Sequence, residues 1–122
     1  MENFFAVFAV VKAGNGFAAT TRAADRGEFG RIGLAGGKVD ANETAVEAVT
    51  REAAEEGWFI TGVNPTPIHT ALYDGRLIGW FTAETAVKLL TFKEVGRITP
   101  IIATREEIIA SGYGNENVPF PA

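Results

Sequence analysis

Gly37-Lys38-Val39-Asp40-Ala41-Asn42-Glu43-Thr44-Ala45-Val46-Glu47-Ala48-Val49-Thr50-Arg51-Glu52-Ala53-Ala54-Glu55-Glu56 is the stretch that organises this chain. A glycine-bearing turn leads into a segment free of Gly and Pro and rich in Ala, a composition that favours helix. Thr44 with Glu47 three residues on is a capping box, so the spacing predicts a helix from near Thr44 to Glu56. Val46, Val49 and Ala53 share one side of it and supply an apolar stripe for a core. Glu52, Glu55 and Glu56 stand at i, i+3 and i+4, which crowds three carboxylates onto one face within a turn. Like charges at this spacing cost roughly 0.2–0.5 kcal/mol per pair, and acids at a helix C-terminus oppose the macrodipole. Arg51 offsets part of this, with Glu47 and Glu55 one turn away on either side. A hard divalent cation such as Mg²⁺ or Mn²⁺ removes both penalties, because it seeks oxygen ligands and carries the missing charge. On the residues alone, a solvated acidic helix end remains the competing reading.

The order and spacing resemble the Nudix box, Gly-x5-Glu-x7-Arg-Glu-U-x-Glu-Glu-x-Gly-U, where U is bulky and apolar. Gly37, Glu43, Arg51, Glu52, Glu55 and Glu56 fall on the pattern, Phe59 fits its last place, and Ala53 is small for its own. Trp58 stands where the pattern has its second glycine, with Gly57 one place early, and Ala35 replaces the Pro often found before the paired glycines. The resemblance implies an α/β/α sandwich, with a mixed β-sheet packed between helices. It also implies Mg²⁺- or Mn²⁺-dependent hydrolysis of a phosphoanhydride in a nucleoside diphosphate linked to another moiety. Within it, Glu52, Glu55 and Glu56 are the metal ligands, helped by the carbonyl of Gly36. Glu52 and Glu55 are also catalytic candidates, while Gly37, Glu43 and Arg51 support the site.

Other candidates lie outside the box. Relatives place an extra glutamate, a metal ligand or base, where Glu94 stands; Glu28 is its weaker rival. Lys38 follows the paired glycines and is a candidate to meet a phosphate, with a solvated lysine the competing reading. Arg22, in Thr21-Arg22-Ala23-Ala24-Asp25, resembles the MutT segment in which an arginine meets phosphate. That segment and the chain length favour a (d)NTP pyrophosphohydrolase. An ADP-ribose or dinucleoside polyphosphate hydrolase is the alternative, and a non-catalytic nucleotide-binding module is another. Trp58 sustains the last reading, because a bulky residue there would tighten the helix exit and shift Glu55 and Glu56. If the displaced glycine is harmless, Trp58→Gly leaves turnover unchanged.

Around this stretch, 122 residues make one domain, 1–122, with room for a proper core. The chain has no Cys, which excludes disulfides, thiolate catalysis and zinc–thiolate sites, and suits a reducing cytoplasm. A formal charge of −4 argues against a nucleic-acid polymer as partner but not against a nucleotide. The apolar run over residues 4–11 is too short to span a bilayer and lacks a basic leader, so no membrane partner is expected. Exposed apolar edges permit a homodimer.

Strands are expected over residues 3–12 and 17–22, joined by Gly14-Asn15-Gly16, with a loop over 23–33. After the helix come strands over 58–63, 68–73 and 77–83, the last two flanking the hairpin signal Asp74-Gly75. Residues 84–90 suit a short helix or a surface loop, and 97–103 a strand placed at an edge by Pro100. Thr104 and Glu107 form a second capping box, opening a helix to about Ser111, and residues 112–122 form an irregular tail. His69 reads as a scaffold residue in a strand. Trp58, Phe59, Trp80, Phe81 and Phe92 read as core. Phe4, Phe5 or Tyr73 are candidates to stack on a base, and Asn115 or Asn117 to read its edge.

Overall fold

The computed structural model describes residues 3–22, 31–89, 98–111 and 114–122, with Arg22 described in its backbone only. In chain order the strands are β1 (Ala6–Val10), β2 (Lys12–Ala13), β3 (Gly16–Arg22), β4 (Ile32–Leu34), β5 (Gly36–Lys38), β6 (Trp58–Thr61), β7 (His69–Tyr73), β8 (Arg76–Thr82), β9 (Thr85–Lys88) and β10 (Ile98–Ala103). Helix α1 (Ala45–Glu55) follows β5, and α2 (Arg105–Ala110) follows β10. The fold is mixed α/β, as expected.

Local signals account for most of these boundaries. Thr44 caps α1 by accepting the Glu47 N–H at 3.1 Å, while the Glu47 carboxylate accepts the Thr44 N–H at 2.9 Å. Thr104 and Glu107 repeat the arrangement at α2. Asp74 and Gly75 both hold left-handed backbone, φ 52° and 72°, which suits the tight hairpin pairing Tyr73 with Arg76. Pro100 does lie on an edge strand, because β10 ends the order β10–β3–β2.

The sheet that positions the site has the order β5–β1–β8–β7. β1 runs parallel to β8 and antiparallel to β5, pairing Val7 with Gly37 and Phe8 with Gly36. Side chains alternate along β1, so its two faces feed two different cores. Val7 and Ala9 pack with Val49 and Ala53 of α1, with Trp58, and with Phe81. Ala6 and Val10 pack with Trp80, with Leu34 of β4, with Ile108 of α2, and with Val118 and Phe120 of the tail. No helix among the described residues is long and apolar enough to cross a membrane.

Three expectations need correction. Residues 85–88 form neither helix nor loop but the strand β9, antiparallel to β6, with Val87 opposite Phe59. Phe59 is not core: it is 49% exposed, on the outer side of this two-stranded sheet. Arg51 does not use Glu47, whose carboxylate is committed to the cap.

Candidate active site

The end of α1 is tied to the paired glycines of β5. Gly36 donates its N–H to Glu56 Oε1 at 3.1 Å, and Glu56 is a buried carboxylate. Gly37 faces α1, where an added Cβ would lie 2.5 Å from Glu52 Cδ, so only glycine lets that carboxylate rest against the strand. A Cβ on Gly36 would sit 2.8 Å from Phe8 Cα and collide with the Val7 carbonyl. The two glycines are therefore steric requirements of the site. Gly37→Ala is expected to swing Glu52 off the strand and lower turnover by about 10- to 100-fold, the usual range for disturbing groups that orient metal ligands. A crystal structure of the variant with Glu52 unmoved would refute this.

Arg51 is the electrostatic centre. Its Nε and one terminal nitrogen grip Glu43 bidentately at 2.7 and 3.0 Å. The other terminal nitrogen reaches Glu52 at 3.1 Å and Glu55 at 3.2 Å, and a further bond at 3.1 Å goes to the Lys38 carbonyl. One guanidinium thus binds the loop, the strand and the acidic turn, a fork that lysine cannot supply. The Arg51 hydrogen bonds, aided by the Asp40 N–H, hold the Glu43 carboxyl below its ordinary range. The bond to Glu43 likewise pushes the Arg51 guanidinium further up. At Glu52 the balance reverses: burial raises its carboxyl, and the bond from Arg51 only partly opposes this.

Does this turn fit a divalent cation? Every donor is oxygen, as Mg²⁺ prefers. Arg51 takes one oxygen of Glu52 and one of Glu55, leaving each a second oxygen without a hydrogen-bond partner among the described residues. Yet no three acidic or histidine side chains among those residues already converge as a cage. The turn therefore offers oxygen donors of the type Mg²⁺ takes, without a preformed cage among the described residues.

Trp58 leaves the acidic turn undisturbed. Gly57, at φ 98°, takes the left-handed position that ends the helix, and Glu56 keeps ordinary helical bonds to the carbonyls of Glu52 and Ala53. Trp58 points away into the core, 2% exposed, and its Nε1 donates to the Ala19 carbonyl at 2.9 Å.

On the opposite side of β5 from α1 lies a small cleft lined by Phe8, Thr20, Arg31, Gly33, Gly36, Glu56 and Asn115. Sequence reasoning gave no role to Arg31, which donates to the Ser111 carbonyl at 2.8 Å. No motif marks it; only the folded pairing of β3 with β4 brings it here. Asn115 is buried, and its Oδ1 accepts the Trp80 Nε1–H at 3.1 Å, so it is built into the wall. His69 lies in β7 and packs against Trp80, with ring centroids 5.1 Å apart and ring planes tilted by 54°. Lys38 is exposed, two residues along β5 from Gly36 of the cleft. Glu94, Glu28, Phe92 and the Arg22 side chain lie outside the described residues.

A family model described as NUDIX domain matches residues 3–110. Among solved structures the fold is similar to an ADP compounds hydrolase, with TM-score 0.65 and 16% identity over 92% of this chain and 63% of that one. It is also similar to a MutT NUDIX hydrolase from Burkholderia pseudomallei, with TM-score 0.62 and 22% identity over 83% and 82% of the two chains. A MutT structure described for Aliivibrio salmonicida and Vibrio cholerae gives TM-score 0.67 and 17% identity over 93% and 90%. At these identities the likeness is one of fold, and the chain spans less than two thirds of the ADP compounds hydrolase. No curated protein matches the chain significantly.

Proposed function

This chain belongs to the Nudix family, and from that premise we propose that it is a Mg²⁺-dependent pyrophosphohydrolase of nucleotides, acting on (d)NTPs. The observation that carries the reading is the seating of the α1 carboxylates on the paired glycines, with Glu56 bonded to Gly36 N–H and Glu52 against Gly37.

When bound, the cation supplies charge neutralisation of the phosphate oxygens and orientation of the attacking water. Glu52, Glu55 and Glu56, with the Gly36 carbonyl, would hold it. The protein's own groups do the rest. Arg51, anchored on Glu43, fixes the directions of Glu52 and Glu55. The Glu52 oxygen not used by Arg51 takes the proton of the water, with Glu94 the other candidate for that duty. Position matters more than basicity for this step, because a neighbouring divalent charge lowers a carboxylate's proton affinity. Lys38 and Arg22 receive phosphate oxygens, which places the scissile bond near the acidic turn. Gly57 and the inward Trp58 support turnover over a purely binding role, since neither displaces the ligands.

The test is a panel of dNTPs, ADP-ribose and dinucleoside polyphosphates incubated with Mg²⁺ and assayed for released pyrophosphate, phosphate or nucleoside monophosphate. Cleavage of a dNTP to the monophosphate and pyrophosphate is the expected outcome. Tight nucleotide binding with no product would replace the enzyme by a binding module.

A further inference from the structure

Two cations share one aromatic ring at the edge of the cleft face. Lys38 Nζ lies 5.6 Å from the centroid of Phe5, and the Arg76 guanidinium carbon lies 4.5 Å from the same centroid. Among the described residues neither has a carboxylate partner, in a chain whose acids outnumber its bases by 15 to 11. Covering a partly buried phenylalanine needs one cation at most, and each such contact is worth only about 0.5–1 kcal/mol. Bringing two like charges to one ring is favourable when an anion joins them.

The register shows which face they serve. Lys38 pairs with Ala6 and Gly36 with Phe8, while Ala6 pairs with Ile78 and Phe8 with Trp80. Alternation puts Lys38 on the same face as Gly36, and Arg76 on the same face as Ile78 and Trp80. That is the cleft face, away from α1. Lys38 stands two residues, about 7 Å, along β5 from Gly36, whose N–H holds Glu56.

We propose that Lys38 and Arg76, held together over Phe5, form an anion site for the phosphate group of the substrate that lies furthest from the Gly36–Glu56 cleft. Arg76 thereby selects a substrate with a charged polyphosphate tail over one whose second moiety is an uncharged sugar. Arginine suits this duty, because its planar fork can donate two hydrogen bonds to one phosphate. The place of this site in turnover rests on the hydrolase reading; its binding of an anion does not.

The test has two arms. Calorimetric titration of inorganic tripolyphosphate, without divalent cations, should show binding by the parent protein. It should weaken about tenfold in Arg76→Ala, a loss of about 1.4 kcal/mol, and Arg76→Lys should restore part of it. With Mg²⁺, Arg76→Ala should raise KM for a dNTP by a similar factor and leave KM for a nucleoside diphosphate sugar within about twofold. No tripolyphosphate binding by the parent, or equal binding by Arg76→Ala, would overturn the proposal even if the protein hydrolyses nucleotides. An Arg76-dependent titration in a protein that cleaves nothing would instead leave the anion site standing and remove the hydrolase reading.

Discussion

Glu56→Gln is expected to lower Mg²⁺-dependent kcat/KM by at least about a hundredfold while the variant melts close to the parent temperature. The substitution separates two duties of one side chain. Glutamine keeps a carbonyl oxygen where Glu56 Oε1 accepts the Gly36 N–H, so the tie between α1 and β5 survives. What it loses is the negative charge, and a neutral amide is a far poorer ligand for a hard cation. Effects of ten- to a hundredfold attend the loss of groups that merely orient metal ligands, so a ligand should exceed them. Glu56→Ala is the contrasting variant. It also strands a buried backbone N–H, which costs about 1–3 kcal/mol, and should lower the melting temperature as well. Near-parental turnover by Glu56→Gln would remove Glu56 from the ligand set, whatever its effect on folding.

Trp58→Gly is expected to destabilise the protein by about 4 kcal/mol or more, rather than act as a harmless return to the family pattern. The sequence expectation treated position 58 as part of the helix exit, but the exit is made by Gly57 at φ 98°. Trp58 is the first residue of β6 and fills a core shared with Val49 and Ala53 of α1. Emptying a buried tryptophan site costs about 3–5 kcal/mol even when alanine remains, and glycine adds backbone freedom in a strand. Trp58→Phe keeps most of the volume and gives up the bond to the Ala19 carbonyl, so about 1–3 kcal/mol is expected from that acceptor alone. Denaturant unfolding of the parent and the two variants measures this order directly. Trp58→Gly with parental stability would mean that the indole is not packed as described.

The contrast at position 58 marks where sequence reading holds and where it stops. Thr44 with Glu47, Thr104 with Glu107, and Asp74-Gly75 were legible because each signal closes within four residues and depends on local hydrogen bonds or backbone sign. β9 was not legible, because Thr85 and Val87 become strand only by pairing with Thr61 and Phe59, more than twenty residues away. Phe59 misled for a related reason. An aromatic in an apolar run reads as core, but its outward side is fixed by β9. At the site, the acidic turn, its arginine and that arginine's partner Glu55 could be named from spacing, yet the other partners of Arg51 could not. Spacing pointed to Glu47, which the cap had already claimed, while the bidentate partner, Glu43, comes from the loop before the helix. Arg31 and Arg76 carried no motif at all, since only the fold brings Arg31 to the cleft and only strand register sets Arg76 on the same face as Trp80.

β5 is three residues long and ends its sheet, and its pleat turns neighbouring residues to opposite sides. Gly37 looks toward the carboxylates of α1; Gly36 and Lys38 look toward the cleft. A single strand thus turns one side chain to the acidic helix end and its neighbours to the cleft, while the backbone of Gly36 ties the two sides together through Glu56. Of the two residues on the cleft side, Gly36 is fixed by its close packing and its bond to Glu56, so Lys38 is the position on this strand that is free to vary without moving the acidic turn.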